Sequence, residues 1–121
     1  MFTVTIKDHI MIAHSLPDPF FGPAQHMHGA TFAVDAVFKS KSLTDKNVVL
    51  DIGEAADILK DILSKLAYKN LDEIPEFKGI LTTTEFMAKY IHDEILKKVE
   101  PQISLKVTLH ENPDASASYE G

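Results

Sequence analysis

Apolar and polar residues alternate along the first stretch of the chain. Phe2, Val4, Ile6, Ile10 and Ile12 share one parity, and Thr3, Thr5, Lys7 and His9 share the other. A period of two marks a half-buried strand, so residues 2 to 14 are predicted to form one. Residues 15 to 28 (SLPDPFFGPAQHMH) hold three prolines and a glycine and read as an irregular connection. That is longer than a hairpin needs, and loops of this length are often functional. A second strand follows, with Phe32, Val34, Ala36 and Phe38 on one face. Ser40 to Asn47 is a polar turn region, and Val48-Val49-Leu50 a short extended run. The period then lengthens: Ala55, Ile58, Leu59, Ile62 and Leu66 recur at helical spacing, predicting a helix over 54–66. Residues 68 to 80 are a loop carrying Pro75 and Gly79. Thr82 and Glu85 have the spacing of a capping box and predict a second helix to about Val99, with Met87, Ala88, Ile91 and Ile95 inward. Alternation returns over 103–111 through Leu105, Val107 and Leu109, and residues 115 to 120 supply a last short strand.

The order is strand, strand, helix, helix, strand, strand. Strands segregated from helices imply an α+β class: a two-layer arrangement of an antiparallel four-stranded sheet with two helices on one face. At 121 residues the chain is expected to be a single domain, 1–121. A core of that size is modest, so shared burial between subunits is expected to help stabilise it. The formal charge of −6 and scattered lysines argue against a nucleic-acid or anionic-membrane partner. No cysteine is present, which excludes disulfides, thiolate metal ligands and a thiol nucleophile. The N-terminal segment MFTVTIKDHIMI lacks the features of a signal peptide, and no apolar run is long enough to span a membrane; a cytoplasmic location is expected.

Three positions interrupt the alternation with polar chemistry. His14 and His28 fall on the apolar parity of the first two strands, and Glu111 falls on the parity of Leu105, Val107 and Leu109. An inward carboxylate is costly to desolvate and should have a strong donor partner. Imidazole is the usual zinc ligand, and catalytic zinc takes three protein ligands with one open position. In an extended chain His26 and His28 point the same way, so His14, His28 and His26 are a candidate metal set. His92 is expected to lie off the apolar stripe of its helix, and His9 and His110 to face the polar side of their strands. Thr83 and Thr84 fall in a first helical turn, where free N–H groups and the helix dipole favour a polar or anionic ligand. Glu85 is explained there by the capping box.

The order of these segments resembles the 6-pyruvoyl-tetrahydropterin synthase and 6-carboxytetrahydropterin synthase family over nearly the whole chain. Ile12-Ala13-His14 is similar to the segment carrying that family's first zinc histidine. His28-Gly29-Ala30-Thr31-Phe32 is similar to its H-G-H-N-Y, and Leu66 to Phe77 (LAYKNLDEIPEF) to its L-D-H-K-x-L-N loop. Thr83-Thr84-Glu85 resembles its T-x-E, and Val107 to Glu111 its final strand, whose glutamate anchors the pterin. The resemblance implies the ββααββ tunnelling fold (T-fold), with sheets joined into a barrel by oligomerisation, usually a hexamer of two trimers. It also implies a zinc cofactor and a reduced pterin bound by Glu111, Thr83, Thr84 and Glu85. A carboxylate can accept two parallel hydrogen bonds from the 2-amino and N3–H edge of a pterin, which suits Glu111 to that role.

Several family positions are replaced. Ala30 stands where the second histidine of H-G-H supplies the third zinc ligand, Ala24 where the catalytic cysteine lies, and Ala67-Tyr68 where the Asp-His pair lies. His26 then remains a possible third ligand from the loop side, and a shifted match makes His26-Met27-His28 itself the H-G-H. The expected activity is a metal-dependent lyase acting on 7,8-dihydroneopterin triphosphate or a related reduced pterin, with Tyr68 as the acid/base group in the histidine's place. The alternative is an altered homologue that binds a pterin or purine without synthase turnover.

Overall fold

The computed structural model describes residues 1–121. Four strands and two helices follow the predicted order: β1 (Phe2–His14), β2 (His28–Ser40), α1 (Ile52–Ser64), α2 (Thr84–Leu96), β3 (Ser104–Asn112) and β4 (Ala115–Tyr119). Short 3-10 turns at Pro19–Gln25, Leu71–Glu73 and Pro75–Phe77 occupy the two long connections. The Val48–Leu50 run is not a strand. The backbone there closes a turn, with Thr44 N–H donating to the Val48 carbonyl and Asn47 N–H to the Thr44 carbonyl. Helix α1 starts at Ile52, two residues before the expected start at Glu54, because the Asp51 carboxylate accepts from the Gly53 N–H and caps it.

The sheet is antiparallel throughout, in the order β1-β2-β3-β4. Its register places Ile10 opposite Phe32, Val34 opposite Leu109, Ala36 opposite Val107 and Phe38 opposite Leu105, so one face is continuously apolar. Helix α1 packs against β1, and α2 against β3 and β4. Leu59, Ile62, Leu66, Met87, Ile91 and Ile95 close over that face. Each large side chain so buried contributes about 1.5–3 kcal/mol relative to exposure.

His92 departs from expectation. It is buried beneath β4, edge-on to Tyr119 with ring centroids 4.8 Å apart, and its Nδ1 lies 2.9 Å from the Asp93 carboxylate. The periodicity of α2 alone does not reveal this, because the covering ring arrives from a strand that follows the helix. No helix is long and apolar enough to cross a membrane.

The helix-free face is polar. Asp35 at its centre accepts from Lys7 Nζ (3.0 Å) on β1 and lies 3.1 Å from His110 Nε2 on β3. Burial opposes ionisation of Asp35, but the hydrogen bonds from Lys7 and His110 outweigh it and hold the carboxyl below its ordinary value of 3.8.

Two predictions follow from this packing. Phe32→Ala is expected to cost about 3–5 kcal/mol in urea unfolding, while Thr31→Ala, on the exposed parity, should stay within about 0.5 kcal/mol. Because the Asp35 pKa is depressed on folding, its contribution is complete above pH 3.8 and lost as the pH falls below that value. Asp35→Asn should therefore be less stable than the parent at pH 7, and the difference should shrink as unfolding is repeated toward pH 3.

Candidate ligand site

The pairing of β1 with β2 ends with His14 directly opposite His28. The two imidazoles meet edge to face, with centroids 4.6 Å apart. His28 is half-buried, and its Nδ1–H donates to the His26 carbonyl at 2.8 Å. His14 is buried, and its Nδ1 lies 3.0 Å from Thr82 Oγ1. Burial pushes the His14 pKa below 6.5, and the neighbouring His28 adds to the effect. A hydrogen bond to the Thr82 backbone and the Asp72 and Glu111 carboxylates pull the other way.

Thr82, Thr83 and Thr84 then carry the site from His14 to Glu111. Thr82 does not join a capping box with Glu85. The N-cap is Thr83, whose hydroxyl accepts from the Phe86 N–H at 3.1 Å, which releases Thr82 to face His14. Thr84, also buried, donates to Glu111 Oε1 at 2.5 Å. Five residues with polar side chains are buried in the whole chain, and three of them (His14, Thr82 and Thr84) belong to this line. Burying polar groups is costly, so their concentration at one end of the sheet marks that end as built for polar contacts.

Glu111 keeps the parity of Leu109 but is exposed, contrary to the inward placement expected of it. The β3–β4 register shifts between His110 and Asn112, and such a bulge re-aims the side chain at its centre. Its carboxylate thus reaches Thr84 from the rim. Thr84, Glu85, Glu111 and Ser116 line a small cavity of about 150 Å³ at the head of α2. Glu85 itself is exposed in the first helical turn.

Two expected members stand apart. His26 lies beyond the last paired residue of β2, so no neighbouring strand holds its side chain over the site; it is exposed, and only its carbonyl meets His28. Ala30, two residues along β2 from His28, offers no ligand atom. No three His, Cys, Asp or Glu residues are placed to hold a metal ion. The expected set of His14, His28 and His26 is therefore not assembled, and the donors present do not make up the three-ligand site that a catalytic zinc takes. Tyr68 is 84% exposed, with φ at 60° and its N–H donating to the Met11 carbonyl at 2.7 Å. It opens onto a different cleft of about 600 Å³, shared with Lys65, Lys69 and Tyr90, which neither histidine nor Glu111 lines.

Two contributors were not singled out from the sequence. Thr82 was hidden because its spacing from Glu85 already had an explanation. Asp72 accepts from the Ser15 N–H and hydroxyl, tying the chain just after His14 to the second connection. Nothing in local spacing signals a contact across that distance.

The same architecture occurs in solved proteins. The structure of Caenorhabditis elegans 6-pyruvoyl tetrahydropterin synthase superposes with a TM-score of 0.87 at 22% identity, covering 99% of this chain and 95% of that one. Plasmodium falciparum 6-pyruvoyl tetrahydropterin synthase gives 0.80 at 15% identity over 99% and 97%. These likenesses define the fold. The family model for 6-pyruvoyl tetrahydropterin synthase matches residues 3–121, and the chain belongs to that family. A 6-pyruvoyl tetrahydrobiopterin synthase of Dictyostelium discoideum is 32% identical over 82 residues, which are 66% of this chain and 61% of that protein. The Homo sapiens protein of the same description is 26% identical over 96 residues, 78% of this chain and 66% of that protein. The chain thus spans less than two thirds of the length of the curated relatives it matches.

The capping assignment is directly testable. Thr83→Ala is expected to destabilise the fold by about 1 kcal/mol through loss of the N-cap bond, read as a lower urea midpoint. Glu85→Ala should be nearly silent, since Glu85 is not the reciprocal half of a capping box.

Proposed function

We propose that this chain binds the 2-amino-4-oxo edge of a reduced pterin at Glu111, with the His14–His28 pair beside the ligand's side chain, and without the family's synthase chemistry. The observation carrying this reading is the Glu111 carboxylate fixed by the hydroxyl of buried Thr84 at the head of α2. Each carboxylate oxygen has two acceptor sites, so Oε1 can hold Thr84 and still join Oε2 in accepting from the pterin 2-amino and N3–H groups. Thr83 holds the helix head in place, and Glu85 borders the same cavity. The absence of cysteine, together with Ala24, Ala30 and Ala67 in the positions that the family resemblance assigns to chemistry, favours binding over turnover.

The assembly proposed is a cytoplasmic homo-oligomer, two trimers forming a hexamer, in which sheets of neighbouring copies join into a barrel. Support comes from β1 and β4, each of which is hydrogen-bonded to only one other strand of the sheet. Unpaired edges are templates for pairing with another chain.

A second reading keeps catalysis: a lyase acting on 7,8-dihydroneopterin triphosphate. Tyr68 favours it, being 84% exposed and held in a left-handed conformation that costs of order 1–3 kcal/mol for a non-glycine residue.

Calorimetric titration with 7,8-dihydroneopterin triphosphate, followed by chromatography of the mixture, separates the readings. Binding that weakens roughly 10- to 100-fold in Glu111→Gln, with the ligand recovered intact, is the expected result. A product that is lost in Tyr68→Phe would establish the lyase instead. A Glu111→Gln variant that binds as tightly as the parent would remove Glu111 from the site.

A further inference from the structure

We propose that the site selects a reduced pterin whose side chain is uncharged and hydroxylated, and that a triphosphate on that side chain weakens binding. The pterin itself rests on the function proposed above; the charge of the site does not. Three charged side chains are tied to this end of the sheet, and all are acidic. Asp72 accepts from the Ser15 N–H and hydroxyl beside His14, Glu111 accepts from Thr84, and Glu85 borders the same cavity as Glu111. None of the three forms an ion pair.

The cations of the chain are committed elsewhere. Its 12 basic residues are all lysines, so it lacks the guanidinium fork that matches a phosphate. Lys7, Lys39, Lys89 and Lys97 each hold a carboxylate away from the site. Lys65 and Lys69 line the separate cleft of Tyr68, and no lysine lines the cavity beside Glu111. His14 supplies no charge at pH 7, because burial and the neighbouring His28 hold its pKa below 6.5. The positive end of the α2 dipole is already met by the Thr83 hydroxyl and the Glu85 carboxylate.

A phosphate entering this end therefore meets carboxylates without a matching cation. One unit of negative charge about 10 Å from a carboxylate weakens binding by about 2- to 15-fold at an effective dielectric constant between that of water and that of a protein surface. A triphosphate brings several such charges. A hydroxyl brings none. It both donates and accepts, so it suits a neutral imidazole whichever ring nitrogen carries the proton, whereas an ionised phosphate oxygen can only accept. The facing rings of His14 and His28 thus favour a polyol side chain over a phosphorylated one.

Calorimetric titration of the full chain with 7,8-dihydroneopterin and with its triphosphate tests this. The unphosphorylated compound is expected to bind at least about tenfold more tightly, and the gap should narrow as added salt screens the repulsion. Glu85→Gln should narrow it by about 2- to 15-fold. Triphosphate binding as tight as that of the free pterin, or tighter, would overturn the proposal while leaving Glu111 as the pterin anchor. If that tight binding were lost in Lys69→Gln, the cation would come from the Tyr68 cleft. Inorganic tripolyphosphate carries the charge without the pterin and should leave the ¹⁵N-histidine signals of His14 and His28 in place. A saturable shift of those signals would equally overturn the proposal. If neither pterin binds, the proposed function falls and the assigned ligand with it.

Discussion

Phe32, Val34, Ala36 and Phe38 on β2, with Leu105, Val107 and Leu109 on β3, must leave water together, and α1 and α2 are what covers them. The position of α2 follows from that requirement, since its apolar stripe through Met87, Ala88, Ile91 and Ile95 has to meet the sheet. Once the stripe is seated, the head of α2 comes to rest beside the end of β3, and the preceding threonine run spans the gap back to β1. The site is a by-product of where the core forces a helix to begin.

The threonines divide their work according to geometry. Thr83 is used up by the helix, satisfying an N–H that has no partner within it. Thr82 and Thr84 flank it and turn into the protein on either side, one toward His14 and the other toward Glu111. Each is buried with one polar partner, so each fixes the orientation of the group it meets.

The two faces of the sheet carry different constraints. On the covered face, register has to hold because a slip of one residue would expose the whole apolar set. On the open face, Lys7, Asp35 and His110 join three strands through hydrogen bonds around one carboxylate. Those bonds are partly exposed and contribute modestly to stability. They add a polar tie across β1, β2 and β3 on a surface that no helix protects.

Much of the fold was legible in the sequence because strand and helix periods are local. Two alternating runs, two helical stripes and two further short strands appear in order, and element ends differ mainly where an unrecognised cap such as Asp51 or Thr83 decides the start. His14 and His28 could be singled out since they break an apolar parity, and Glu111 for the same reason. The rest required three dimensions. Thr82 partners a residue 68 positions away, His92 is covered by a strand that follows its helix, and the bulge at Glu111 turns an apparently inward carboxylate out to the rim. His26 and Tyr68 were marked by residue type and spacing; His26 is exposed beyond the paired end of β2, and Tyr68 opens onto a different cleft of this chain. The chain's periodicity determined which residues had to be buried, and the packing of those residues alone decided which polar groups would meet, because contacts between distant segments have no period to read.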